Sequence, residues 1–415
     1  MTLIKTSLLN GIAVVIKMLT LLGLNKILAV YVGPAGYAAL GQFQNAVQML
    51  TTLASGAVNT GVTKYTAEYH DDVSKQHAVW RTAGSISLAG SLSVTALIIV
   101  FNEPLASWFL KDEKLSSVFI WFAGTLVPFV FNALLLAILN GKKEIRRYVV
   151  ANIVGSLFSL AVTTAMAVNF GLYGALIALA VYQSLAFFVT LAITYRTNWF
   201  KLWYLFGPVD RKAAKKLAKF TAMALTSAAC IPLSHILIRN HLGETLGWDK
   251  AGYWEAMWRL SAAYLMMVTT TLSVYYLPRL SELNEPSAIK REILQGYKII
   301  LPVAAVCGVV IYSLRDFIIR ILFSVEFSEM EVLFAWQMVG DTLKIGSWLL
   351  GYVLTAKALL GLYIFSEIAF SVLFYLLVLF LAENIGLESA SMAYAISYAA
   401  HFVFMYFALR KKRII

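Results

Sequence analysis

Charge is scarce in this chain. Only 13% of its 415 residues are Asp, Glu, Lys or Arg, where a soluble globular protein carries about a quarter. Hydrophobic residues make up 60% and the mean hydropathy is +0.75. A soluble fold of this size has no means of hiding so much apolar surface, so its solvent is lipid. Cysteine is nearly missing as well. Cys230 and Cys307 lie in different apolar runs, which excludes a disulfide framework and a zinc site. No G-x-x-x-x-G-K-S/T loop, no G-x-S-x-G elbow and no cluster of metal-ligand residues occurs, so neither a cofactor nor a metal is expected. Long polar loops are missing too, which leaves no room for an extramembrane catalytic domain. The expectation is a protein that is not an enzyme. A removable leader is not expected either: the apolar run after Lys5 outlasts a signal peptide and offers no small-residue cleavage site before Lys17.

What the chain does have is a succession of apolar runs of about 20 residues, the length that crosses a bilayer. Twelve can be marked off, the first at 8–32, the second at 38–62, the eighth at 252–278, the tenth at 331–356 and the last at 389–409. The fold class expected is therefore all-α, a polytopic membrane protein of about twelve helices. Of the 34 Lys and Arg, about 24 fall on the side of the N-terminus and about six, including Arg239, on the other. That bias predicts that both termini are cytoplasmic and that the number of spans is even. The net charge of +12 is thus a topology signal, and nucleic acid is not expected as a partner. The longest loop, 196–217, is basic and aromatic, with Trp199, Phe200, Trp203 and Tyr204. It reads as an amphipathic segment on the inner leaflet or as a plain basic linker.

The sequence also repeats weakly at an offset near 215. Ala35-Gly36-Tyr37 recurs as Ala251-Gly252-Tyr253, Asn169-Phe170-Gly171-Leu172 as Asn384-Ile385-Gly386-Leu387, and Lys142 and Tyr148 as Lys357 and Tyr363. Two six-helix lobes follow, residues 1–195 and 218–415, joined by the basic linker 196–217. Six spans per lobe give a parallel repeat with a cavity between the halves, which is transporter architecture.

Polar residues inside the runs mark the cavity. Asn45, Gln48, Thr52, Ser55 and Asn59 step by three and four residues, so one continuous helix would put them on one face. The matching face of the eighth span holds Ser261, Tyr264 and Thr271. Lys17 and Lys26, nine residues apart, point to roughly opposite sides of the first span; Lys26, near its end, lines the cavity or snorkels. Glu255 and Arg259 are spaced for an i,i+4 pair. Asp341 and Lys344 lie near the middle of the tenth span and read either as a structural pair or, for Asp341, as a proton-coupling group. Cations outnumber acids among these residues, which favours an anionic substrate group such as a phosphate.

Three stretches carry a family resemblance: Tyr31-Val32-Gly33-Pro34-Ala35-Gly36-Tyr37, Gly61-Val62-Thr63-Lys64-Tyr65-Thr66-Ala67-Glu68-Tyr69, and Leu333-Phe334-Ala335-Trp336-Gln337-Met338-Val339-Gly340-Asp341 running on through Lys344 to Ala356-Lys357-Ala358. They resemble Wzx-type flippases for O-antigen and enterobacterial common antigen, in the multidrug/oligosaccharidyl-lipid/polysaccharide exporter superfamily that also holds the MATE transporters. The resemblance spans the whole chain. It implies a V-shaped pair of six-helix lobes, a bacterial inner-membrane location, and ATP-independent movement of undecaprenyl-diphosphate-linked oligosaccharide from the cytoplasmic to the periplasmic leaflet. Implied partners are that lipid-linked oligosaccharide, the bilayer, and glycan-assembly proteins such as a polymerase or chain-length regulator. Under this reading Lys17, Lys26 or Arg259 holds the diphosphate and the Asn45-to-Asn59 stripe the sugars. Two other functions stay open: a cation-coupled small-molecule exporter, and a membrane-embedded glycan polymerase or ligase.

Overall fold

A computed structural model describes residues 3–414 except 284 and 358, with side chains from residue 11 onward except at 219, 220, 274, 277 and 278. The side chains of Lys5 and Lys219, and all of Ala358, lie outside the described residues. The described chain is helical, in the order α1 (Leu3–Ala54), α2 (Asn59–Glu68), α3 (Val73–Val100), α4 (Asn102–Leu105), α5 (Ser116–Gly141), α6 (Ile145–Tyr195), α7 (Arg211–Leu246), α8 (Trp248–Thr271), α9 (Leu277–Glu282), α10 (Pro286–Ser313), α11 (Arg315–Leu322), α12 (Phe334–Ala356), α13 (Leu360–Ile385) and α14 (Glu388–Lys411). Among the described residues eight helices are long and apolar enough to cross a membrane. Two of those eight, Gly11–Ala54 of α1 and the whole of α6, run 44 and 51 residues, well beyond one bilayer thickness, and each is broken by a glycine. α8 and α12 are long enough to cross but carry more charge, with Asp249, Lys250, Glu255 and Arg259 in one and Asp341 and Lys344 in the other.

The glycine breaks come in pairs. Gly33 (φ 72°, ψ 179°) interrupts α1 and Gly247 (φ 101°, ψ 151°) precedes α8; Gly171 (φ 57°, ψ −136°) interrupts α6 and Gly386 (φ 78°, ψ −146°) ends α13. A side chain disfavours these left-handed conformations, so glycine is the residue that makes such turns at no steric cost. The spacing of each pair matches the sequence repeat, which therefore extends to backbone geometry. Pro34 follows Gly33 directly, where the second arm of α1 begins and a missing N–H costs nothing. At the start of α3, Asp72 caps the helix by accepting from the Lys75 backbone N–H at 3.0 Å. The Lys75 side chain beside it holds the Asp72 carboxyl below the usual carboxylate range.

Two compact units are formed: Met1–Leu24 with Gln42–Pro232, and Asn25–Gly41 with Leu233–Ile415. The boundary falls inside α7, and residues 25–41, which the sequence division put in the first lobe, group with the second unit. In the first unit a buried cluster joins Val62 and Tyr65 of α2, Val79 and Trp80 of α3, and Leu134, Leu135 and Ile138 of α5. Phe200 and Leu205 of the basic linker complete that cluster, with Trp199 and Tyr204 packed against it. Of the linker's aromatics, Phe200, Trp199 and Tyr204 are tied to the protein itself, while Trp203 and Phe206 stay exposed. Gly84 allows this, because a Cβ there would strike the Leu205 carbonyl. In the second unit the corresponding cluster is built from Ile289 and Ile293 of α10, Leu349, Leu350 and Val353 of α12, and Met405 and Leu409 of α14.

Candidate functional site

In the first unit a cavity of about 150 Å³ lies between α1, α5 and both arms of α6. Lys17 is at its edge, and Asn132, Asn152, Ser156, Tyr182 and Gln183 line it. Asn132 is 2% exposed and donates from Nδ2 to Gln183 Oε1 at 2.8 Å. Gln183 Nε2 in turn donates to the Tyr182 hydroxyl at 3.1 Å. The Asn132 Oδ1 atom is buried without a hydrogen-bond partner among the described residues. An unpaired buried acceptor is costly unless a ligand or water meets it. This cavity thus offers an ammonium for an anion and an amide acceptor for a hydroxyl. The Asn132 site was missed from sequence. The signal was an amide in the apolar middle of α5, where polar groups are expensive.

The five-residue stripe does not form one face. Asn45, Gln48 and Thr52 share the second arm of α1, but that arm stops at Ala54. Ser55 lies in a turn that includes Gly56 (φ 61°) and Ala57 (φ 52°), and Asn59 opens α2. Thr52 spends its hydroxyl on the Gln48 carbonyl at 2.7 Å, and Ser55 donates to the Thr52 carbonyl at 3.0 Å. Gln48 is exposed, and Asn45 Nδ2 and Asn59 Oδ1 are buried without partners among the described residues. The periodicity was real up to residue 52; the break arises because Gly56 and Ala57 take a left-handed backbone, which a spacing count does not register.

In the second unit Glu255 bridges two guanidinium groups. Its Oε2 accepts from Arg239 Nη2 at 2.6 Å and its Oε1 from Arg259 Nε at 2.7 Å. The Glu255–Arg259 pair expected at i,i+4 is present, but Arg239 is a third member that the sequence reading placed in a loop. It is 1% exposed inside α7. The cluster carries one net positive charge. Gly41 lies against it, and a Cβ there would meet the Glu255 carboxylate and the Arg239 guanidinium. Arg259 also lies 5.5 Å from the centre of the Tyr37 ring. Lys26 is engaged elsewhere: its ammonium donates to the main-chain carbonyls of Arg320, at 3.1 Å, and Phe323. It ties the end of the first span to α11 instead of lining a cavity.

Asp341 and Lys344 do not form the expected pair. Asp341 Oδ2 accepts from Ser261, at 2.7 Å, and from the Tyr264 hydroxyl, and its Oδ1 from the Tyr394 hydroxyl at 2.7 Å and Gln337 Nε2 at 3.4 Å. Lys344 instead sits in a box of aromatic rings, 4.6 Å from Trp258, 5.1 Å from Trp348, 5.3 Å from Tyr394 and 5.2 Å from Tyr398. Each distance is within cation–π range. The two charges, one turn apart on α12, form no ion pair, and Tyr394 serves both, donating its hydroxyl to Asp341 and presenting its ring to Lys344.

The comparisons with known proteins bear on what this arrangement serves. The family model described as "Polysaccharide biosynthesis protein" matches residues 3–284. The chain belongs to this polysaccharide biosynthesis protein family. Two relatives, from Escherichia coli (strain K12) and Shigella flexneri, are each named Lipid III flippase; each is 32% identical over 402 residues, 97% of this chain and 97% of theirs. Among solved structures, an inward-facing multidrug resistance MATE family transporter of the MOP superfamily matches with a TM-score of 0.75 at 15% identity, over 95% of this chain and 94% of its own. The MATE multidrug transporter DinF-BH matches with a TM-score of 0.73 at 16% identity, over 98% and 96%. These likenesses show the fold: this family member is an all-α, multi-pass membrane protein built like the MATE transporters.

Proposed function

We propose that the protein flips an undecaprenyl-diphosphate-linked oligosaccharide from the cytoplasmic to the periplasmic leaflet of a bacterial inner membrane. The near full-length relatives named Lipid III flippase support this reading. The single structural observation that carries it is the first-unit cavity, where the Lys17 ammonium accompanies the unpartnered, buried Asn132 Oδ1. The sugar hydroxyls and phosphates cannot cross hydrocarbon alone, because they would lose their hydrogen bonds to water. Lys17 compensates the diphosphate, Asn132 accepts from a sugar hydroxyl, and the prenyl tail stays in lipid. Arg259, with its neighbour Arg239 and the shared Glu255, supplies a second cationic station; Asn45, Gln48 and Asn59 supply amides. Counting two crossings for each of α1 and α6, and adding α8 and α12, gives twelve crossings with both termini cytoplasmic. Lacking a nucleotide motif, the cycle draws on an ion gradient or on removal of product by periplasmic glycan-assembly proteins, a polymerase and its chain-length regulator.

The test is reconstitution of the purified protein into liposomes with a labelled lipid-linked oligosaccharide, followed by measurement of its accessibility in each leaflet. The wild type equilibrates the label between leaflets. Lys17→Ala slows this by about ten- to a hundred-fold, the worth of one charge-assisted hydrogen bond, and Asn132→Leu slows it less. No movement of the label by the wild type, or wild-type rates in both variants, removes the proposal.

A further inference from the structure

A second recess lies in the other unit, and the transport reading leaves it unused. It is a groove of about 180 Å³ where α10 begins and α12 and α14 end. Two cations frame its mouth: Lys290, in the second turn of α10, and Arg410, in the last turn of α14. Among the described residues no acidic side chain lines it and neither cation forms an ion pair. Below the cations the walls turn apolar, with Ile293, Leu294, Leu350 and the ring of Tyr406. Leu294 and Tyr406 are 49% and 40% exposed, whereas Ile293 and Leu350 are buried and belong to the core cluster of the unit.

Two features decide what fits. First, the groove opens sideways to the bilayer. Past Lys298, the face of α10 that carries Leu294 runs on through Leu301 to Ala305 and Val309, the last two exposed and apolar, the composition of a lipid-facing stripe. Second, the groove is a dead end. Its floor is the packed cluster, and Tyr297 closes it from within by donating its hydroxyl to the Gly346 carbonyl at 2.9 Å. A molecule in transit needs a way inward, and this groove gives none.

We infer that this groove is a seat for an anionic phospholipid of the surrounding leaflet, its phosphate held between Lys290 and Arg410 and one acyl chain lying along Ile293, Leu294, Leu350 and Tyr406. An ammonium and a guanidinium at the interface supply charge-assisted hydrogen bonds to the phosphate, and basic recesses between helix ends are where such headgroups bind. The bound lipid bridges the ends of α10 and α14 across α12, so it steadies that end of the unit. This inference needs only that the chain crosses a membrane, and it stands or falls apart from the transport reading.

The test uses the full chain in detergent, titrated with phosphatidylglycerol, with thermal unfolding and native mass spectrometry as readouts. Phosphatidylglycerol raises the unfolding temperature and stays bound in the spectrum; phosphatidylcholine and inorganic phosphate at equal concentration do neither. Lys290→Gln with Arg410→Gln weakens the apparent affinity by about ten- to thirty-fold, from roughly one unit of interfacial charge energy per cation. The control pair Lys411→Gln with Lys412→Gln, which removes equal charge outside the groove, leaves the affinity unchanged. Leu294→Trp, which keeps both cations and fills the apolar part, also lowers it. The inference is overturned by an unchanged affinity in the Lys290/Arg410 double variant. It is equally overturned by an equal effect of inorganic phosphate, or by displacement of phosphatidylglycerol by undecaprenyl phosphate at matched concentration, which would make the groove a substrate site.

Discussion

Glu255 is where a single substitution should do the most damage per atom changed. Each of its carboxylate oxygens is held by a different guanidinium, at 2.6 Å from Arg239 and 2.7 Å from Arg259, and the residue is 4% exposed. Glu255→Gln removes the negative charge and turns one of the two acceptors into an amide N–H₂ donor. Two cations then face each other with one acceptor between them. Breaking a buried ion pair by removing one partner costs about 3–5 kcal/mol, and here the loss falls on two pairs that share that partner. The arginines are not equivalent. Arg259 has a side-chain exposure of 16% against 1% for Arg239, so Arg259→Gln leaves a neutral, buried Arg239–Glu255 pair and costs about 1.5–3 kcal/mol, the worth of a hydrogen bond to a charged group. Arg239→Gln falls between. Gly41→Ala should damage the same bridge without touching any of its charges, because the added methyl meets the Glu255 carboxylate. Thermal unfolding of the purified variants in one detergent ranks them: Glu255→Gln least stable, then Arg239→Gln, then Arg259→Gln. An unfolding temperature for Glu255→Gln equal to that of the wild type, or an order with Arg259→Gln at the bottom, would refute the bridging account.

Other outcomes follow from the same geometry. Asp341→Asn should destabilise the second unit, since Ser261, Tyr264, Tyr394 and Gln337 all donate to that carboxylate. Lys344→Gln should not rescue it: the two residues form no ion pair and share only Tyr394, so a double-mutant cycle should give a coupling well short of the loss in Asp341→Asn alone; full recovery in the double variant would restore the ion-pair reading. Gly252→Val should lower the yield of folded protein, because a Cβ at Gly252 strikes the Pro34 carbonyl and backbone cannot give way as a side chain does; normal yield and stability would show that the two segments part easily. For topology, single cysteines at 143 and 212 should label only from the cytoplasm and one at 113 only from the periplasm, and outside labelling at 143 would reverse the orientation.

By itself the sequence determined the solvent, the secondary structure and the rhythm of this protein. Those are sums over local composition: runs of about 20 apolar residues become helices because lipid offers the backbone no other partner, and Gly33, Gly171, Gly247 and Gly386 punctuate them because glycine takes a positive φ without strain. The repeat at an offset near 215 was legible for the same reason, since each half needs the same turns at the same depth. Which polar groups meet was not legible. Spacing found Glu255 and Arg259, which are one helical turn apart, and missed Arg239, which reaches Glu255 from another helix. It paired Asp341 with Lys344, yet Asp341 takes its hydrogen bonds from Ser261 and Tyr394, 80 and 53 residues away in the chain, and Lys344 turns to rings on α8, α12 and α14. A buried charge takes whichever donors or aromatic faces surround it in low dielectric, where each contact is worth more than in water. Those neighbours are chosen by helix packing, so tertiary structure decided the chemistry of sites that periodicity could only locate.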